Sequence, residues 1–254
     1  MPPVKRFLQQ LIIQTYNKWF LLGHPMVYQC EWPLYQSHHG INPNYTAIRS
    51  GHRLQKGYLK LLKNCREHCN LWRNNYDVQD NWNSVSSVID FYGDNKDGFL
   101  EMAGPGGWND PDMLVIGNFG LSLEQSRAQM TLWAMFAAPL IMSNDLRTLR
   151  PEFVEILQHR ELLKIAQDPY GISGKRVTRW KHVDFFTRPV SPVMGAKHSQ
   201  VVAIYNRWQE GGTPLEVKSF HELYLRILPP APVSLLIFQG FICWSVCWNK
   251  GRGI

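Results

Sequence analysis

Residues 113–142 read MLVIGNFGLSLEQSRAQMTLWAMFAAPLIM, which is a short apolar run, a loop, a longer mixed run and a second apolar run. Met113–Ile116 and Leu140–Met142 have the length and composition of short buried strands. Ser122 followed by Gln125 matches the capping box that begins a helix, and Pro139 ends that helix. The segment therefore predicts a strand–helix–strand unit, which is the building block of a parallel sheet.

Similar units are predicted on both sides of this segment. Pro25–Cys30 and Leu71–Asn74 are predicted as strands, and Asn81–Tyr92 and Pro151–His159 as helices. A further helical stretch is expected near Tyr45–Ser50. Alternating strands and helices favour an α/β fold, which is either a (β/α) barrel or a doubly wound sheet.

The pattern changes after Asp168. Val183–Phe186 and Val201–Tyr205 are short alternating runs separated by Gly and Pro, which predicts a small antiparallel β domain. That pattern is lost from about Phe220. The apolar run Val233–Trp248 is shorter than the ~20 residues needed to span a bilayer, so no membrane partner is expected.

The composition excludes several classes of function. The formal charge is +7, but the 27 Lys and Arg residues are scattered along the chain, so no nucleic-acid partner is expected. The five cysteines lack the paired CxxC spacing of a zinc ribbon, and we expect neither a metal nor another cofactor. Residues 1–22 lack the pattern of a signal peptide, so the chain is expected to be cytosolic or to lack its true beginning.

Two segments have the residue types of a catalytic site. Ala103–Met113 combines glycines and prolines with two carboxylates, and Trp72–Asp80 contains Arg73 and Asp77 at the end of a predicted strand. Barrel enzymes place catalytic carboxylates at strand ends, and glycosidases use a pair of them. The residue types alone also fit a calcium loop or an Asp-stabilised turn in the first segment and a structural ion pair in the second.

Residues from about Gly23 to Thr213 resemble glycoside hydrolase family 27. The resemblance is carried by CEWPLY at 30–35, WRN at 72–74, Asp77, AGPGGWNDPDMLVIGNFG at 103–120 and APLIMSNDLR at 138–147. It implies a (β/α)8 TIM barrel, of which this chain has the C-terminal four βα units, followed by a truncated antiparallel β domain. The implied divisions are an unmatched segment at 1–22, the half-barrel at 23–164 with an insert at 51–65, the start of the β domain at 165–219 and an unmatched tail at 220–254.

The resemblance also assigns roles to single residues. It implies retaining hydrolysis of terminal α-galactosides on glycolipids, glycoproteins or oligosaccharides, with Asp77 as the general acid/base and Arg73 as a sugar-binding arginine. A lysosomal or secreted location and a homodimer are implied as well. The other assigned residues are Asp112, Met113 and Tyr35 in the pocket wall, Cys30 with Cys69 in a disulfide, and Asn44 at a glycosylation site.

Glu31 and Leu34 distinguish two activities within this family. The galactosidases have a pair similar to Glu31 and Leu34 at these two positions. The α-N-acetylgalactosaminidases have small residues there, which leave room for an acetamide group. A carboxylate and a leucine fill that space, so we expect a preference for galactose. The segment Leu121–Met130 is more similar to the N-acetylgalactosaminidases, and that activity is the alternative.

The nucleophile of the family is an aspartate in a Lys-x-Asp word before the CEWPLY segment. No Asp or Glu precedes Glu31 in this chain. The first four βα units and the nucleophile are therefore expected to be absent, and the activity of the isolated chain is in doubt. Two other hypotheses remain: a non-catalytic truncated fragment with at most weak sugar binding, and a membrane-anchored interaction protein that uses Val233–Trp248.

Overall fold

The computed structural model describes residues 27–31, 69–96, 98–194 and 197–207, and the backbone of 233–238 and 246–247. The predictions for residues 1–22, Leu34, Tyr35, Asn44, Tyr45–Ser50 and the insert 51–65 lie outside the described residues. The helices are α1 (Trp82–Asp94), α2 (Leu123–Met135), α3 (Pro151–Leu157) and α4 (Arg160–Ala166), with a 3-10 turn at Phe99–Met102. The strands are β1 (Gln29–Cys30), β2 (Leu71–Arg73), β3 (Trp108–Asp110), β4 (Lys175–Trp180), β5 (Val183–Met194), β6 (Lys197–Asn206), β7 (Val233–Phe238) and β8 (Val246–Cys247).

The first sheet is parallel, with strand order β1-β2-β3. Cys30 pairs with Trp72, and Arg73 pairs with Asp110 at the carboxyl ends of β2 and β3. Since neighbouring parallel strands end at the same edge, the loops that follow Arg73 and Asp110 leave the sheet side by side. Helix α1 lies between β2 and β3, and α2 follows β3, which agrees with the predicted α/β class.

Both of these helices begin with a side-chain cap, and the cap of α2 is the one that the sequence predicts. The side chain of Asn81 accepts a hydrogen bond from Ser84 N and caps α1. Ser122 and Gln125 form a reciprocal capping box at the start of α2. Both devices satisfy amide groups that have no partner within the first turn of a helix.

The strands around Leu114 differ from the prediction. Instead of two full strands, Leu114 and Met142 form a single parallel bridge. The regular pairing lies earlier, at Trp108–Asp110, directly after a tight antiparallel bridge between Gly104 and Gly107. Asn109 and Asp110 of this strand are buried polar residues, so the strand has no apolar pattern by which the sequence could predict it.

The second sheet has strand order β4-β5-β6-β7-β8. The first three strands are antiparallel neighbours, as predicted for the segment after Asp168. Strand β7 then pairs with β6 in parallel, so part of the apolar run Val233–Trp248 belongs to this sheet. Within the described residues, no helix is both long enough and apolar enough to cross a bilayer.

One apolar core connects the helices with the second sheet. Ile89, Tyr92 and Trp133 from α1 and α2 are fully buried together with Phe186 and Ala203 from β5 and β6. Burial of such side chains stabilises the folded state by roughly 1.5–3 kcal/mol each. The core therefore fixes α1 and α2 against the second sheet.

Candidate active site

Arg73 is the centre of a charged cluster at the carboxyl edge of the first sheet. Its Nη2 atom lies 3.0 Å from Asp77 Oδ1 and 3.0 Å from Asp112 Oδ2. Arg73 and Asp112 are buried, whereas 75% of the Asp77 side chain is exposed. One guanidinium group thus anchors an accessible carboxylate to a buried one, which holds the accessible group in place.

Asp112 has an unusual backbone conformation, with φ of 79°. Aspartate tolerates this left-handed region better than most residues, but the conformation still has a cost. Four contacts maintain it. Asp112 N donates to Asp110 Oδ1 at 2.8 Å, Asp112 O accepts from Trp133 Nε1 at 2.8 Å, and Asp112 Oδ2 accepts from Val78 N at 2.8 Å while contacting Arg73.

Asp110 is a second buried carboxylate beneath this cluster. Its Oδ1 atom accepts from Asp112 N, and its Oδ2 atom accepts from Gln29 Nε2 at 2.6 Å. Desolvation by burial raises the pKa of Asp110 to about 6, helped by the charges of Asp112 and Glu31 and opposed by Arg73 and the Asp112 amide. Burial disfavours the charged form of a carboxyl group, which explains the direction.

A network of neutral polar side chains supports the two strands from below. Asn109 Oδ1 accepts from Trp72 Nε1 at 2.7 Å and from Asn74 Nδ2 at 2.9 Å. Tyr92 on α1 donates to Asn74 Oδ1 at 3.0 Å, and Asn109 Nδ2 donates to Phe99 O at 3.1 Å. Because these buried groups satisfy one another, the strand ends that carry Arg73 and Asp110 are fixed to the core.

Comparison with known proteins assigns the family. The model of the family described as Alpha galactosidase A matches residues 10–168, which is more than half of the chain. The chain belongs to the alpha galactosidase A family. The resemblance to glycoside hydrolase family 27 is thereby confirmed, and the match begins before Gly23, inside the segment that the sequence left unassigned.

Two curated relatives of the alpha galactosidase A family illustrate the likeness. The α-N-acetylgalactosaminidase of Gallus gallus is 49% identical over 177 residues, which cover 68% of this chain and 39% of that protein. The α-galactosidase A of Homo sapiens is 43% identical over 190 residues, which cover 75% of this chain and 39% of that protein. The chain thus spans about two fifths of the length of these relatives.

A solved member of the same fold is α-galactosidase I from Mortierella vinacea. It is similar with a TM-score of 0.58 and 24% sequence identity, over 78% of this chain and 48% of that one. This likeness concerns the fold alone. It supports the α/β architecture of the parallel strands and helices, while the partial (β/α)8 barrel stays a prediction.

The structure places several predicted site residues of this family member around Arg73. Asp77 and Asp112 contact Arg73 directly, and Met113 follows Asp112 with 42% of its surface exposed. Glu31 is exposed, directly after the last residue of β1. The predicted pocket residues Leu34 and Tyr35 and the glycosylation site Asn44 lie outside the described residues, so their positions stay predictions.

The structure describes only one of the two cysteines in the predicted Cys30–Cys69 disulfide with its side chain. Cys69 is buried, lies two residues before β2 and is disulfide-bonded. The side chain of Cys30 lies outside the described side chains, so its pairing with Cys69 stays a prediction. In the parallel sheet, Cys30 is level with Trp72, three residues after Cys69.

The calcium-loop alternative for Ala103–Met113 finds no support in this geometry. The carboxylates of Asp110 and Asp112 accept hydrogen bonds from amide groups, and Asp112 also contacts Arg73. In the part of the chain that the structure describes, no group of three or more His, Cys, Asp or Glu side chains is placed to hold a metal ion. Both oxygens of Asp110 and Oδ2 of Asp112 are therefore already in contact with donors.

Sequence reasoning missed the part played by Asp110. The sequence shows Asp110 and Asp112 two residues apart, but the family resemblance assigns only Asp112 to the site. The signal for Asp110 is the Asp-x-Asp spacing itself, because an aspartate side chain readily accepts from the amide two residues later. That local bond explains why the pair folds as one unit.

Proposed function

We propose that the protein hydrolyses terminal α-galactosides with retention of configuration, and that Asp77 is its general acid/base. The observation that carries this proposal is the exposed Asp77 carboxylate, anchored at 3.0 Å by a buried arginine. An exposed carboxylate can reach the glycosidic oxygen of a substrate, and its orientation is set because Arg73 is itself held by Asp112. Retaining glycosidases require one such residue to act first as acid and then as base.

In the proposed mechanism, Asp77 first protonates the glycosidic oxygen as the bond to the sugar breaks. It then takes a proton from the water that attacks the glycosyl intermediate, which restores the starting state. The Arg73 guanidinium stabilises the Asp77 carboxylate between the two proton transfers, after Asp77 has donated its proton and before it takes one from water. The buried Asp112 carboxylate keeps Arg73 from turning toward solvent.

The nucleophile is assigned to no residue of this chain. A retaining enzyme needs a second carboxyl group about 5 Å from the acid/base. The family resemblance places that aspartate before the CEWPLY word, where no Asp or Glu precedes Glu31. Any test must therefore measure sugar binding as well as turnover.

The first experiment compares Asp77→Asn with the unchanged chain on aryl α-galactosides whose leaving groups differ in acidity. General acid catalysis contributes about 10²–10⁴-fold, and it matters most for a poor leaving group. We expect a loss of that size for a weakly acidic phenol and a much smaller loss for a strongly acidic one. Added azide, which needs no general base, should restore turnover of the activated substrate.

The matched control is Asp80→Asn in the same loop. Asp80 Oδ2 accepts from Phe119 N and Gly120 N at 3.0 Å each, and an amide oxygen can replace it. We expect turnover close to that of the unchanged chain. Turnover that does not depend on Asp77 would contradict the assignment, and a chain that neither turns over α-galactosides nor binds galactose would favour the fragment hypothesis.

The second candidate function is α-N-acetylgalactosaminidase activity. It is favoured by the 49% identity to the Gallus gallus enzyme of that name. Galactose preference is favoured by Glu31 and Leu34, because the family resemblance places these two larger residues where the N-acetylgalactosaminidases have small ones. Parallel assays of aryl α-galactoside and aryl α-N-acetylgalactosaminide decide between them, and a preference for the second substrate would overturn the argument from these residues.

We also propose the wider arrangement that the family resemblance implies. It comprises the half-barrel at 23–164, the start of the β domain at 165–219, the Cys30–Cys69 disulfide, glycosylation at Asn44, a lysosomal or secreted location and a homodimer. The buried, disulfide-bonded Cys69 supports an oxidising compartment. Mass spectrometry of the non-reduced secreted protein would test the disulfide and the glycan together.

A further inference from the structure

Asp110 uses both oxygens of its buried carboxylate within the site, and its backbone pairs with β2. Its Oδ2 atom accepts from Gln29 on β1, two residues before Glu31. Its Oδ1 atom accepts from the backbone amide of Asp112. Asp110 is also level with Arg73 in the parallel sheet.

The hydrogen bond that Asp110 accepts from Asp112 N bears on Asp77, the proposed acid/base. Asp112 is held in a left-handed conformation, which is strained for a residue with a side chain and persists only when its surroundings over-determine it. In this conformation its carboxylate turns back to accept from Val78 N at 2.8 Å and to contact Arg73. Val78 follows Asp77 directly in the sequence, and Arg73 donates a hydrogen bond to the Asp77 carboxylate.

We propose that Asp110 is a positioning residue, which holds Asp112 in the left-handed conformation and thereby fixes the Arg73 guanidinium and the Val78 amide that orient Asp77. This inference rests on the proposed function of Asp77. The role needs a hydrogen-bond acceptor at Asp110, and it does not need the negative charge. An asparagine at this position keeps that acceptor, so it should keep the function.

The experiment compares Asp110→Leu with Asp110→Asn in the full chain. Leucine has nearly the shape of aspartate but accepts no hydrogen bond, whereas asparagine still accepts from Asp112 N. We expect the Asp112 and Val78 amides to exchange with solvent roughly tenfold faster in Asp110→Leu, since each loses a fixed acceptor. In Asp110→Asn both amides should exchange at the original rate.

Catalysis gives the second measurement. Asp110→Leu should lower kcat by roughly tenfold or more with little change in KM, because the misplaced group is the acid/base and most sugar contacts remain. Asp110→Asn should restore kcat. If Asp110→Leu does not fold, Asp110→Ala replaces the mismatched side chain by a cavity and makes the same comparison.

The matched control is Asp168→Leu, at a second buried aspartate that accepts from the amide two residues later, at 3.1 Å from Tyr170 N. It should destabilise the fold without changing the exchange rate of the Val78 amide. Unchanged exchange at Val78 and Asp112 in Asp110→Leu would overturn the proposal. If the original chain neither turns over α-galactosides nor binds galactose, the proposed function fails, while the exchange rates still decide whether Asp110 positions the loop.

Discussion

Asp77 and Asp184 are both held by arginines, but three quarters of the Asp77 side chain is exposed and the Asp184 side chain is completely buried. At the site, one arginine serves two carboxylates, Asp77 and Asp112. In the cluster around Asp184, three arginines contact two carboxylates, those of Asp184 and Asp90. The charge balance and the exposure are therefore opposite in the two clusters.

The cluster around Asp184 joins α1 to the second sheet. Arg179 Nη2 lies 2.9 Å from Asp184 Oδ2 and 2.6 Å from Asp90 Oδ1. Arg207 reaches Asp90 through both terminal nitrogens at 2.7 Å and Asp184 at 3.2 Å. Arg176 lies within 3.5 Å of both carboxylates and also pairs with Asp94.

The difference separates two uses of the same chemistry. A buried carboxylate surrounded by guanidinium groups is satisfied from all sides and has no means of exchanging protons with a substrate. A carboxylate with one anchoring contact and an open face can do so. We therefore expect changes at Asp184 to affect stability and changes around Asp77 to affect catalysis.

The largest expected effect on stability is that of Asp184→Asn. Removing one partner from a buried charge cluster leaves the remaining charges uncompensated, which costs roughly 3–5 kcal/mol. We expect a loss of that size in the free energy of unfolding, measured by urea denaturation. Galactose binding per folded molecule should not change.

Asp94→Asn is the control for this substitution. Asp94 contacts the same Arg176 but is partly exposed. Exposed ion pairs contribute at most about 1 kcal/mol, so the loss should be much smaller. Equal losses for the two variants would contradict the view that burial decides the contribution.

The pH dependence of stability should have opposite signs in the two clusters. Burial raises the pKa of Asp110 from 3.8 to about 6, so the stability associated with this group is greatest at acid pH and is lost as the pH rises through that interval. The contacts with Arg207 and Arg179 lower the pKa of Asp90 despite the opposing effect of burial. The stability associated with Asp90 is therefore present above pH 4 or so and is lost in more acidic solution.

Two asparagine variants measure these signs separately. Relative to the original chain, Asp110→Asn should gain up to about 3 kcal/mol of unfolding free energy between about pH 4 and pH 7, because a shift of about two pKa units is removed. Asp90→Asn should instead become relatively less stable as the pH rises from about 3 to 5, by a smaller amount since Asp90 is partly exposed. Slopes of the same sign in the two variants would contradict the assignment.

Features that depend on neighbouring residues could be predicted from the sequence. The Ser122–Gln125 capping box, the helix at Asn81–Tyr92 and the β2 strand are predicted because each is formed within a few residues. The contact of Arg73 with Asp77 is also local, because the two residues are four positions apart in the sequence. The Arg73–Asp77 pair of the candidate site can therefore be predicted from the sequence.

Features that depend on distant pairing could not be predicted in this way. Strand β3 has no apolar pattern, and its place is set by pairing of Arg73 with Asp110. The contacts between Asp90 and Arg207 join residues that are 117 positions apart. Charged residues at such separations give no signal of their own, because scattered charges are ordinary on any surface.

The smallest effect is expected at Arg147 and Asp145, whose geometry is as favourable as any in the two clusters. Arg147 Nε lies 2.9 Å from Asp145 Oδ1, and Nη2 lies 2.7 Å from Oδ2, so the pair is bidentate. The pair is nevertheless in solvent, which screens the attraction and competes for both groups. Arg147→Gln should therefore leave the urea midpoint unchanged. A measurable loss in dilute buffer that disappears at about 1 M salt would show that bidentate geometry stabilises even an exposed pair, and the contrast between Asp77 and Asp184 would then need an explanation other than burial.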